Sequence, residues 1–398
     1  MQNIILFDSE PVRSNLLPFT FTRPVAAIRI GILTIFEKWQ KFIPHANISY
    51  KTQPYLQHKF SLVHTNDNFF INGSICPNID LVNSILMLEP NNALFDENEN
   101  LIAARVSNDT DITSTDLRKI YYKGLPYLQI NYTYDIFSKN DEAIRADFDL
   151  ITKGRVSQPI PQGNQVINAE NIFIEEGAII NFSILNASTG PIYIGKDAEV
   201  MEGCKIRGPF ALCEHGGLKM DAKIYGATTI GPYCKAGGEI NNSVMFSYSN
   251  KGHDGFLGNA VVGEWCNLGA DTNNSNLKNT YDEVKLWNYR TGKFEKTGLT
   301  FCGLMMADYT KCGINTMFNT GTVVGVGANI FGAGFPRNFI PSFAWGGAQG
   351  FETFVLNKFY KTADAMCKRR NIAFTDDDKK IIEYIFNETA KFRFWENN

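Results

Sequence analysis

The hydrophobic positions of the chain follow two rhythms. From residue 174 to about 332 an aliphatic residue recurs every six positions within blocks. Gly or an acidic residue usually follows it, and a small residue comes four places on. Examples are "IEEGA" from Ile174, "IGKDA" from Ile194, "VMEGC" from Val200, "IGPYC" from Ile230, "VGEWC" from Val262 and "VGVGA" from Val324. This periodicity predicts a hexapeptide solenoid, each repeat one short strand and one corner, with stacked coils sharing an interior. The small position holds Ala178, Ala198, Cys204, Cys234, Cys266, Thr310, Thr316 and Ala328, as an inward-packed corner requires. Its thiols read as core filler rather than nucleophiles. The period breaks near 244–261 and near 274–300, which predicts two surface loops above one or two adjacent coils.

Residues 1 to about 150 lack this period. Apolar runs at "NIILF", "FFING" and "SILML" alternate with amphipathic stretches such as "IGILTIFEKWQKF", which predicts an α/β layer arrangement. Residues 137–155 read as a short helix and linker, and "SQPIPQGNQ" marks a boundary. After "FPRNFIPSFAWGGAQG" the pattern turns helical, with Thr375 and the three aspartates behind it capping the last helix. The expected organisation is an α/β domain with its linker over 1–155, the solenoid over 156–345 and a helical tail over 346–398. At 398 residues the chain exceeds what one core usually serves.

Composition narrows the partners. The net charge is -3 and no basic run is long, so neither nucleic acid nor an anionic membrane is an expected partner. No stretch approaches about 18 consecutive apolar residues. The opening "MQNIILFDSEPVRSN" has no charged leader and no small-residue cleavage site, so a cytoplasmic protein acting on small molecules is expected. The eight cysteines show no CxxC or Cys/His spacing that suggests zinc.

One of only five histidines lies in "NKGHDGFLGNAVVGEWCNLGADTNNSNLKN", residues 250–279, with glycines at 252, 255 and 258. An imidazole titrates near pH 6.5, about where a general base works best, and glycine corners let a substrate approach closely. A lone His is more often a surface or satisfied residue. Asn267, Asn273, Asn274 and Asn276 offer neutral contacts to a hydroxyl-rich ligand, or else satisfy backbone groups at solenoid turns.

The stretch resembles the acetyltransferase region of the bifunctional N-acetylglucosamine-1-phosphate uridyltransferase/glucosamine-1-phosphate acetyltransferase and of archaeal sugar-1-phosphate nucleotidylyltransferases. Gly252-His253, Phe256, Gly258-Asn259, Asn267-Leu268-Gly269-Ala270-Asp271-Thr272 and Asn276 fall at the matching spacings. The resemblance implies a left-handed parallel β-helix, a homotrimer with sites between subunits, and His253 as the base that deprotonates a sugar amine attacking acetyl-CoA. By position Asn267 and Asn276 contact the sugar and CoA passes Ala270. Two residues depart from the family: Phe256 replaces a tyrosine and Asp271 a glycine. Lys251, Lys278 and Arg207 are then candidates for an anionic sugar, and Lys311 and Arg337 for CoA phosphates.

"SNLLPFTFTRPVAAIRIG", residues 14–31, is similar to the segment after the nucleotide loop of sugar-1-phosphate nucleotidyltransferases through Leu16, Pro18, Thr20, Arg23 and Pro24. The Gly-rich loop is replaced by "FDSEPVRSN", Val25 stands at the lysine position, and Ser74 follows Asn72-Gly73 where a metal-binding Asp belongs. Arg23 and Asn72 are the expected pocket residues, and Mg²⁺ is expected only with nucleotidyl transfer. The leading expectation is an acyl-CoA-dependent N-acyltransferase acting on an amino-sugar phosphate or nucleotide sugar, with no metal at the His253 site. The alternatives are a sugar-1-phosphate nucleotidylyltransferase using UTP or dTTP, and a non-catalytic trimer that binds a nucleotide sugar.

Overall fold

The computed structural model describes residues 2–107, 112 and 117–396. By its contacts the chain forms two units, one of Met1–Leu16, Thr22–Ile28 and Leu33–Tyr132, the other of Leu17–Phe21, Arg29–Ile32 and Thr133–Asn398.

The first unit is built on one sheet. Its strands are β1 (Asn3–Phe7), β2 (Asn47–Lys51), β3 (Asn68–Asn72), β4 (Asn92–Phe95), β5 (Leu101–Val106) and β6 (Arg118–Tyr121), in the order β2-β1-β3-β5-β4-β6. The apolar runs "NIILF" and "NFFIN" are β1 and β3, buried along their whole length, as parallel central strands covered on both faces must be. β1 pairs in parallel with β2 on one side and β3 on the other. That reversal of strand order at β1 opens a crevice at the carboxyl ends, the usual ligand position in an open α/β sheet. Helix Ile35–Phe42 starts at a capping box between Thr34 and Glu37 and buries Trp39, whose indole N–H donates to the Ile75 carbonyl at 2.9 Å.

The second unit contains the solenoid. Three stacked sheets of six, nine and ten strands pair in parallel coil after coil, with an antiparallel closing hairpin, Ala344–Gly347 with Gly350–Thr353. This is a three-sided parallel β-helix. Its interior is a continuous column of Ile, Val, Leu, Ala and Cys, and Cys204, Cys234, Cys266, Thr310, Thr316 and Ala328 are buried at the small position as expected. Burial pushes the Cys234 thiol up to about 12 and raises that of Cys266 further, so both are packing groups. Helix Asn140–Thr152, which the sequence grouped with the first domain, belongs to this unit. The Asn140 amide donates to the Ala227 carbonyl at 3.0 Å and the Thr229 hydroxyl at 3.1 Å. Two C-terminal helices, Leu356–Lys368 and Asp376–Glu388, follow, the second closed by a capping box between Thr375 and Asp378.

The two expected breaks turn out differently. Residues 277–300 do leave the solenoid, carrying an antiparallel hairpin, Lys285–Asn288 with Lys293–Lys296, whose Trp287 stacks on Phe339 at 4.2 Å. Residues 244–261 do not. Strands Val244–Met245, Asn250–Lys251 and Phe256–Gly258 each pair with the coils on both sides or below. The aliphatic beat of six, Met245 to Leu257, fails only because Lys251 occupies the inward position between them. Among the described residues no helix is long and apolar enough to cross a membrane.

Candidate functional site

The solenoid corner at 252–255 joins strand Asn250–Lys251 to strand Phe256–Gly258. His253 and Asp254 are exposed at its tip, and among the described residues the imidazole has no hydrogen-bond partner. Asp271 on the next coil donates its backbone N–H to the Asp254 carbonyl at 3.0 Å, and Asn315 on the coil after donates to the Ala270 carbonyl at 2.8 Å. His253 and Ala270 therefore occupy successive corners. On the adjoining face Asn267 pairs with Asn250 on one side and Lys311 on the other. The Asn267 side chain is exposed. The structure thus brings His253, Asn267, Ala270 and Lys311 together on adjacent coils.

Asn273 and Asn274 satisfy the backbone. Asn273 accepts from the Phe256 N–H at 3.0 Å, and Asn274 accepts from the Gly258 N–H at 2.8 Å and donates to its carbonyl at 2.9 Å. The Asn276 amide donates to the Asn259 side-chain oxygen at 2.8 Å. Asn276 therefore packs beside Gly258 and Asn259, at the far end of strand Phe256–Gly258 from His253. Phe256 is half-buried, its ring against Gly258, where a Cβ would fall 2.4 Å from Cζ.

The cations are placed differently from expectation. Lys251 is 1% exposed and its ammonium donates to the Gly237 and His253 carbonyls, at 3.1 and 2.6 Å. The expected contact to an anionic sugar is corrected: strand alternation turns this side chain into the interior. Burial pushes it down to about 8, against the opposing pull of Asp254 and Asp271. Lys278 donates to the Glu283 carbonyl at 2.8 Å. Lys311 donates to the Tyr309 carbonyl at 3.1 Å, and burial pushes it down to about 8. Arg337 is exposed, with its guanidinium 4.7 Å from the Phe394 ring centroid. A groove of about 680 Å³ along the face that begins at Phe256 is lined by Lys205, Arg207, Lys223 and Tyr225. Of these, sequence reasoning had singled out only Arg207.

The first unit carries its own pocket, of about 710 Å³, at the carboxyl ends of β1, β2 and β3. Asn72 lines it and Arg23 does not; Arg23 is buried instead. The polar lining includes Gln53, Asn100, Gln129 and Asn131, residues whose scattered positions gave no motif. Asp8 is also at this mouth, but its carboxylate accepts from the Val25 N–H at 2.8 Å and the Thr52 hydroxyl at 2.6 Å. Burial raises it to about 6 even so. The residues here do not fit a resident Mg²⁺. The Ser74 hydroxyl is spent on Asn72 at 2.8 Å, Asp8 is clamped, and among the described residues no three His, Cys, Asp or Glu side chains gather as a metal site.

Residues 4–156 match the family model described as sugar nucleotidyl transferase. No curated protein matches the chain. Among solved structures, the chain is similar to the polySia-specific acetyltransferase NeuO at 15% identity and a TM-score of 0.24, over 57% of this chain and 95% of that one. It is also similar to the Arabidopsis UDP-N-acetylglucosamine acyltransferase at 12% identity and a TM-score of 0.20, over 53% of this chain and 80% of that one. Likenesses at this level leave the activity to be argued from the site.

Proposed function

We propose that the chain is an acyl-CoA-dependent N-acyltransferase that acetylates the amine of a sugar phosphate or nucleotide sugar, with His253 as general base. The observation that carries this is the 252–255 corner, which presents an exposed imidazole beside the exposed Asn267 amide and the small Ala270. In the reaction the amine nitrogen attacks the thioester carbon while the imidazole accepts its proton. The amide C–N bond forms, the C–S bond breaks, and CoA leaves as the thiol with the proton from the imidazolium. Asp254 and Asp271, both exposed at this corner, favour the approach of a protonated amine.

The acceptor's anionic end is supported from the groove. Lys205, Lys223, Glu239 and Phe256 are successive partners in one outward column. Lys223 and Lys205 therefore stand about 10 and 14 Å from Phe256 at about 4.8 Å per rung. Glu239 lies between Phe256 and Lys223 in this column, so only an acceptor as extended as a nucleotide sugar would reach the two lysines from the His253 corner. Acetyl-CoA passes Ala270, and a homotrimer would supply the neighbouring wall of the site.

A second reading, nucleotidyl transfer from UTP or dTTP to a sugar 1-phosphate, is favoured by the family match of the first unit and by the pocket at its strand ends. The Mg²⁺ for that reaction would have to arrive on the triphosphate. One experiment separates the two: thiol release from acetyl-CoA with a panel of amino-sugar phosphates and nucleotide amino sugars, run beside pyrophosphate release from UTP and dTTP. Thiol release with at least one acceptor is expected, reduced about 100-fold or more by His253→Ala. Pyrophosphate release without any thiol release would replace the first reading by the second.

A further inference from the structure

The geometry points to Lys251 as a positioning residue for His253, an ammonium inside the β-helix that fixes the one corner carrying the base. This rests on the reading of His253 as general base. The inward neighbours of Lys251 in its column are Ala236 below and Leu268 above, with Cys312 beyond, all apolar and buried. A lysine in that column breaks the rule the rest of it obeys.

What the lysine grips differs from the cap on the coils above: it holds the Gly237 and His253 carbonyls, not that of Gly252, the counterpart of Gly269 and Gly313. On the two coils above, the corner carbonyl is held by a neutral hydroxyl: Thr272 donates to the Gly269 carbonyl at 2.7 Å and Thr316 to the Gly313 carbonyl at 2.8 Å. The counterpart in the His253 corner is Gly255, which has no hydroxyl to offer. It has no room for a side chain either, since its φ is 116° and a Cβ would lie 2.2 Å from the Thr272 carbonyl oxygen. The corner below is shorter. Ala236 and Ile240 are four residues apart, whereas their partners Lys251 and Leu257 are six apart. The His253 corner therefore overhangs the one beneath it.

The backbone follows its own course here. Asp221, Asp271 and Asn315 hold the left-handed position of their corners, at φ 59°, 57° and 56°, whereas in this corner Gly255 rather than Asp254 takes the positive φ. With the repeating cap lost and the turn displaced, Lys251 ties the Gly237 carbonyl of one coil to the His253 carbonyl of the next. The imidazole projects from the residue so fixed, and among the described residues no side chain hydrogen-bonds its ring.

The test uses the full chain, with Lys251→Met, Lys251→Gln and the control Leu268→Met. Two readouts are taken: turnover with the acceptor found active above, and the imidazole resonances of histidine-labelled protein, with His253 assigned by its absence in His253→Gln. Lys251→Met is expected to shift the His253 resonance, leave that of His215 in place, and lower kcat about 100-fold with KM for acetyl-CoA unchanged. Lys251→Gln, which keeps a donor, should fall between, and it carries the test if the methionine variant does not fold. Leu268→Met should move neither readout. An unmoved His253 resonance in a folded Lys251 variant overturns the proposal. If no acceptor turns over in the unmutated protein, the general-base reading fails separately, and the resonance still decides whether Lys251 sets the position of His253.

Discussion

Asp8 and Lys251 show at the residue scale how burial changes what a charge does. Both stand in stretches that read as solvent-exposed loops, and both are interior. Asp8 has a folded pKa of about 6 against an ordinary value of 3.8. The folded state therefore holds its proton more tightly than the unfolded chain, and the stability this gives is present below about pH 4 and lost as pH rises to about 6. The loss over that window is about 3 kcal/mol at most. Asp8→Asn is expected to flatten this dependence, so that its melting temperature falls less than that of the unmutated protein between pH 4 and pH 6.5. Parallel curves would show that Asp8 is already ionised in the fold. Neither residue's placement was legible by type. For Lys251 the signal was available: it lies six residues after Met245 and six before Leu257, on the inward beat of the solenoid.

The strands and corners of the second unit were the most legible elements. The beat of six is imposed by inward packing, and a small residue is needed wherever a corner turns into the core. Registers, and the left-handed φ of bulky corner residues such as Tyr233, Tyr248 and Trp265, were not legible, because they depend on contacts between coils. Those three rings stack with centroids 5.0 and 4.4 Å apart, and such stacking offsets part of the backbone cost. Gly255 is a tightly confined corner position, with φ 116° and a Cβ site 2.2 Å from the Thr272 carbonyl oxygen. Gly255→Ala is expected to destabilise the protein by about 1–3 kcal/mol in urea denaturation and to lower turnover along with stability. Gly292→Ala, in the hairpin loop where nothing lies within 4 Å of an added Cβ, should lower stability less, through its φ of 64° alone.

For the whole molecule, two units carry two candidate sites. The first has the sheet reversal and a pocket at its strand ends, and its loop after β1 is tied by Asp8 to Val25 and Thr52. The second places an exposed imidazole, that of His253, at a solenoid corner. The fold of each unit could be read from hydrophobic rhythm. The polar lining of the first pocket could not, since Gln53, Asn72, Asn100, Gln129 and Asn131 come from separate strand ends and loops that only the folded sheet brings together. The most direct measurement of the central claim is the rate at which N-acetylated product forms from acetyl-CoA and an amino-sugar acceptor, followed by mass spectrometry across pH for the unmutated protein and His253→Ala. The account predicts product formation that rises with pH through a single ionisation, with that limb absent and the rate about 100-fold lower in the variant. Equal rates in the two proteins, or no acetylated product from the unmutated one, would contradict it.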